Sequence, residues 1–136
     1  AGQLLTKMLA AIDLPRDRVF ICNVVKCRPP GNRQPSPEEM AACLPHLRAQ
    51  TALVRPRVIL LLGATAVSAV LGPEYRITRC RGQWFARKTC DIIATYHPSA
   101  LLRDQSKKRD AWHDLQLVRK RLLELSLYPD LIKEDD

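Results

Sequence analysis

The sequence predicts an α/β fold, with a mostly parallel sheet and helices on both faces. Three observations carry that expectation. Short apolar runs rich in β-branched residues recur at 19–25, 58–62 and 91–95, the pattern of strands buried on both faces. Stretches with apolar residues at helical spacing alternate with them, as crossover helices of a parallel sheet do. The chain has 136 residues, 46% of them hydrophobic, enough for one domain with a real core.

Each element has its own signal. Leu4, Leu5, Met8, Leu9 and Ile12 mark an opening amphipathic helix. Val19–Val25 reads as the first strand, and a stiff basic loop follows, because Pro29 and Pro30 fix φ and give up their N–H groups. Ser36 is a good N-cap, Pro37 suits the first helical position and Glu39 completes a capping box. That helix is expected to bury Met40, Leu44, Leu47 and Val54 and to end at Pro56. Val58–Leu62 is a second strand, running into Gly63 and a small-residue helix, Ala64–Leu71, closed by Gly72 and Pro73. Residues 76–90 read as basic and irregular, with Arg81–Phe85 a short edge strand or hairpin. Asp91–Thr95 is the third strand, and Tyr96 opens a long polar loop. A final helix from about Arg109 to Leu125 places Trp112, Leu115, Val118 and Leu122 on one face. Residues 1–127 form the domain and 128–136 a frayed tail.

Composition narrows the function. No apolar run approaches the roughly 18 residues that cross a bilayer. Residues 1–10 lack the cationic start and cleavage signature of a signal peptide. A net charge of +8, from 22 basic and 14 acidic residues, points to an anionic partner, nucleic acid first, or to a solubilising surface. Five cysteines, an odd number with no sign of export, favour thiols or a metal site over a disulfide framework.

In open parallel sheets, ligands bind beyond the carboxyl ends of the strands. Asn23, near the end of the first strand, and His97, just past the third, could therefore face one crevice. The Asn amide offers a donor and an acceptor that match the O4 and N3–H edge of uracil, where cytosine presents the opposite pattern. It could equally tie down its own loop. His97, set by Pro98, can donate a hydrogen bond to the oxygen of a departing base as negative charge builds there. Ser99, the following N–H groups and Arg103 suit phosphates, and Leu101 could enter a base stack as an apolar wedge. The plainer alternative is a basic loop with its leucine pair packed inward. His46 and His113 sit on helices with no polar constellation around them.

Cys27 and Cys43 are half of a Cys₄ site for zinc or an iron–sulfur cluster, and Lys26 and Arg28 would favour the thiolate at Cys27. Cys22, Cys80 and Cys90 are better read as small apolar residues.

Taken together, "NVVKCRPPGNRQPSPEEMAACLPHL", "VILLLGATA", Arg81–Gly82, "TYHPSALLR" and "WHDL" resemble the iron–sulfur uracil-DNA glycosylases, the family-four branch of that superfamily. The resemblance runs from about Gly2 to Leu125, in order. It implies a three-layer α/β/α sandwich and a bacterial or archaeal, cytoplasmic base-excision-repair enzyme. Such an enzyme is monomeric and hydrolyses the N-glycosidic bond of deoxyuridine in DNA; a contact with a sliding clamp stays open. By residue, Asn23 reads uracil, His97 stabilises the uracil anion, and Leu101 matches the wedge. Ser99, Arg103, Lys26, Arg28 and Arg33 meet DNA. Cys27 and Cys43 match two of the four ligands of a structural [4Fe–4S] cluster.

The family pattern begins with a Cys pair, a strand and a "GEAPG"-like motif that positions water, and none of these stands in the sequence. The expectation is an N-terminally truncated chain lacking its first strand and half of the cluster. Alternatives are an inactive DNA-binding module of the same fold, a sister branch with broader base tolerance, or a zinc-binding nucleic-acid protein using Cys27 and Cys43.

Overall fold

The computed structural model describes residues 2–15, 19–21 and 37–125. Its elements in chain order are α1 (Gly2–Ala10), α2 (Pro37–Val54), β1 (Val58–Leu62), α3 (Gly63–Val70), α4 (Ile77–Cys80), β2 (Phe85–Ala86), β3 (Asp91–Thr95), α5 (Pro98–Arg103) and α6 (Lys108–Glu124). A single 3-10 turn, Gln105–Lys107, joins α5 to α6.

β1 and β3 pair in parallel, from Val58 opposite Asp91 to Leu62 opposite Thr95. β2 adds antiparallel to the other side of β3, so the order is β1-β3-β2. The two-residue β2 is a short edge strand that overlaps the expected "RGQWF" only at Phe85.

The period-two alternation of strand side chains divides the core into two halves. Val58, Leu60 and Ile93 face a cluster with Met8 and Ile12 from the α1 end, Leu101 of α5, and Ala111, Leu115, Val118 and Leu122 of α6. Ile59, Leu61, Ile92 and Ala94 face the opposite way, onto Val67 and Val70 of α3 and Cys80 of α4. Both faces of the sheet are thus covered by helices, which is the expected α/β/α layering. α2 lies outside α3 and packs against it.

Several expectations need correction. The stretch after Tyr96 is α5, the 3-10 turn and the start of α6, not a polar loop. Elements of four and six residues, α4 and α5, are too short for a 3.6-residue period to register. Trp112 is 42% exposed. The buried stripe of α6 runs instead through Ala111, Asp114, Leu115, Val118 and Leu122, which turns residue 112 out of the interface. Val54 is 41% exposed, and its neighbour Leu53 is exposed as well, so the last turn of α2 buries neither. Val19–Ile21 carries no strand pairing, and Phe20 and Ile21 are exposed; strand propensity makes a strand only with a ladder partner.

The rest of that expected strand (22–25), Cys22, Asn23, Lys26, Cys27, Arg28, Arg33, the Ser36 cap and the tail 128–136 lie outside the described residues.

Candidate active site

β1 and β3 end level, so Gly63 and the Tyr96–His97 pair emerge side by side at the carboxyl end of the sheet. His97 is the N-cap of α5, and Pro98 takes the first position, where a missing N–H costs nothing. The histidine caps the helix with its ring. The Ser99 amide donates to His97 Nδ1 at 3.0 Å, and the Ser99 hydroxyl lies 2.8 Å from the same nitrogen. An Nδ1 that accepts from an amide carries no proton. The neutral ring therefore keeps its hydrogen on Nε2, which is left as a donor. Desolvation of the ring, with the positive charge of Arg103, holds its pKa below the ordinary 6.5. The neutral tautomer is the resting form at pH 7.

The strand that delivers His97 is anchored from beneath. Thr95, the last residue of β3, is fully buried and donates to Asp114 Oδ2 at 2.7 Å. Asp114 is fully buried on α6, and Arg81 grips it with Nε and one terminal nitrogen, both at 3.0 Å. That fork satisfies a charge that would be expensive to bury alone. Gly82 makes the approach feasible: its φ is +73°, and a Cβ there would stand 2.6 Å from Asp114 Oδ1. Its N–H donates to the Ala94 carbonyl at 3.0 Å, closing the turn onto β3. Tyr96 is buried beneath two cations, Lys107 at 5.0 Å and Arg81 at 6.0 Å from the ring centre.

Of the expected site residues, the structure brings His97, Ser99 and Arg103 together at α5. Ser99 has its amide committed to the imidazole, so that group is not available to a phosphate. Leu101 is 2% exposed and sits in the core with Met8 and Tyr96. A side chain bolted into the core cannot enter a base stack. The next residue, Leu102, is 58% exposed on the outer side of α5. Sequence reasoning missed this exchange because α5 was not foreseen as a helix, and helical geometry is what decides which leucine points inward. It also missed Gly63, Thr95 and Asp114, although "RG" and "WHDL" already pair a cation and an acid far apart in the chain.

His46 and His113 are exposed on their helices, as expected of bystanders. Cys80 is buried, and burial pushes its thiol pKa up; Cys90 is half-buried at the start of β3. Among the described residues no three metal-ligating side chains converge, so these residues by themselves do not make a cluster site. Cys43 lies on α2. A cavity of about 220 Å³ lined by Arg57, Arg87, Lys88 and Asp91 opens at the amino ends of β1 and β3. It lies at the end of the sheet opposite His97. No described helix is long and apolar enough to cross a membrane.

The chain is similar to curated proteins from bacteria and archaea. It is 49% identical to a type-4 uracil-DNA glycosylase of Thermotoga maritima over 112 residues, 79% of this chain and 57% of that protein. It is 38% identical to one of Sulfurisphaera tokodaii over 88% of this chain and 59% of that protein. It is 43% identical to one of Archaeoglobus fulgidus over 75% and 55% respectively. The chain thus spans somewhat over half the length of these relatives. The model of the Uracil DNA glycosylase superfamily matches residues 1–116. With His97 at the carboxyl end of a helix-covered sheet, this match makes the chain a member of the uracil DNA glycosylase superfamily.

Proposed function

We propose that the protein is a type-4 uracil-DNA glycosylase that excises uracil from DNA in base-excision repair. The observation that carries this reading is the cap at His97: the Ser99 amide donates to Nδ1 at 3.0 Å, which puts the proton of a neutral ring on Nε2, free to donate.

Hydrolysis breaks the bond between the uracil N1 and the sugar C1′, and the electron pair stays on the base. Water supplies the new bond to C1′, and its proton ends on the released uracil. Negative charge gathers on the uracil oxygens as the bond stretches. A fixed donor aimed at that oxygen favours the transition state over the ground state. A neutral donor does so without the desolvation cost that a charged imidazole would meet once a base covers it. Asn23 reads the O4 and N3–H edge of uracil and refuses cytosine by leaving buried polar groups unpaired.

The target nucleotide must leave the helix first, at a cost of a few kcal/mol. Leu102, exposed on α5, is the apolar residue placed to fill the vacated stack. Arg103, with Lys108 and Arg109 exposed at the start of α6, meets phosphates beside it. Lys26, Arg28 and Arg33 supply further positive charge for phosphates. Cys27 and Cys43 would hold two corners of a [4Fe–4S] cluster that ties the loop to α2. Bound there, it would supply a structural tie and no step of the reaction, which passes through His97 and Asn23. The protein acts as a monomer in the cytoplasm.

The test is uracil release from a deoxyuridine-containing oligonucleotide by the full-length natural protein, with His97→Ala and Asn23→Asp beside it. Release with a loss of at least 100-fold in His97→Ala is expected. No release by the parent, or release unchanged in both variants, overturns the reading.

A further inference from the structure

We propose that Gly63 is a positioning residue for His97: the missing side chain of Gly63 is the space that sets where the imidazole stands. The inference rests on the reading of His97 as the hydrogen-bond donor.

Gly63 is buried at the junction of β1 and α3, with φ at +86°. A Cβ built there would lie 2.9 Å from His97 Cβ and 3.7 Å from His97 N. The neighbour is the root of the histidine side chain, not a flexible tip, so rotation of χ angles cannot relieve the contact. Ordinary van der Waals contact starts at 3.4 Å, so the pair must open by about 0.5 Å, and the backbone of β3 or α5 has to carry the shift. Both ends of that backbone are fixed. Thr95 is held by Asp114 and by its pairing with Leu62. α5 is held by Leu101 in the core and by the bond from the Ser99 amide to Nδ1. Displacement therefore falls on His97 itself, at the head of a helix whose cap is that same ring.

Catalytic groups act within about 0.5 Å of their productive position, and errors near 1 Å cost on the order of 100-fold in rate. Gly63 contacts no reacting atom in this account; it acts through His97.

The experiment is a double-mutant cycle in the full-length natural protein. Gly63→Ala is made alone and in a His97→Gly background, where the opposing Cβ is gone. The readouts are kcat and KM on a single-stranded uracil oligonucleotide, the thermal midpoint, and the ring-nitrogen NMR signals of His97. Gly63→Ala alone is expected to lower kcat by about tenfold with KM within about twofold, and to move the His97 ring signals. In the His97→Gly background the same substitution is expected to change kcat by less than about twofold.

An equal fold-loss in both backgrounds overturns the proposal, because the harm then comes from the left-handed backbone and not from the histidine. So does a kcat within about twofold of the parent. If Gly63→Ala fails to fold, folding of the double variant supports the proposal and its failure overturns it. Should the parent release no uracil, the functional reading falls, while the thermal and NMR arms still decide whether Gly63 places the ring.

Discussion

Arg81 closes on the fully buried carboxylate of Asp114 with two nitrogens at 3.0 Å, across 33 residues of sequence. The pair locks the turn before β2 to α6, and through Thr95 it locks the end of β3 as well. Removing the carboxylate by Asp114→Ala takes both forked bonds from the mostly buried Arg81, leaving it the Asp110 carbonyl at 3.4 Å and the Asp110 carboxylate at 3.9 Å, and strands the Thr95 hydroxyl. The expected loss is about 3 kcal/mol, the lower end for a broken buried pair since Arg81 keeps some contact with water. Chemical denaturation measures it; a loss under about 1 kcal/mol would show that the clamp contributes little.

The lowered pKa of His97 gives a pH signature. Between the folded pKa and the ordinary 6.5 of the unfolded chain, the unfolded state binds more protons. The His97 contribution to stability is therefore complete above 6.5 and is lost as pH falls towards the folded value. A neutral donor also predicts a rate that stays level from pH 8 down to about 6.5, with the ring titrating by NMR only below that. A rate that climbs as pH drops through 6.5 would instead identify a charged histidine as the donor.

Ser99 supports His97 with two groups of unequal consequence. Ser99→Ala keeps the backbone amide that fixes the tautomer and loses only the hydroxyl at 2.8 Å. One neutral hydrogen bond is worth about 0.5–1.5 kcal/mol, so kcat should fall by roughly two- to tenfold. A loss above about 100-fold would mean that the hydroxyl takes part in the chemistry itself.

The two adjacent leucines separate stability from DNA handling. Leu101→Ala should destabilise the fold by about 2–5 kcal/mol, as a core truncation does. Leu102→Ala should leave the melting temperature within a degree or two and slow excision from duplex more than from single-stranded DNA, where no stack has to be held open. Equal slowing on both substrates would remove Leu102 from the wedge role.

Cys27→Ser and Cys43→Ser should each abolish the brown colour and the bound iron of the purified full-length protein. Zinc in elemental analysis, with no iron, would transfer both cysteines to the rival metal site.

Much of the fold was legible in the chain because burial on both faces leaves a plain mark. Val58–Leu62 and Asp91–Thr95 are strands over the residues that the apolar runs define. α2 and α6 fall where caps and periodicity place them, to within a residue or so. "HPS" likewise carries its own local logic, with proline at the first helical position and a histidine able to cap it.

What the sequence determined by itself was the order of elements and the presence of His97 beyond a strand end. These depend on contacts near in the chain. Which leucine turns outward, which acid is buried, and what residue 63 stands against were settled only in three dimensions. Asp114 reads as one more charge on a polar helix until Arg81 and Thr95 close on it. Gly63 reads as the start of a small-residue helix until β1 and β3 pair in register and bring His97 within 2.9 Å of its absent Cβ. Such contacts join residues 19 to 34 apart, and nothing in local propensity encodes a distance across the sheet.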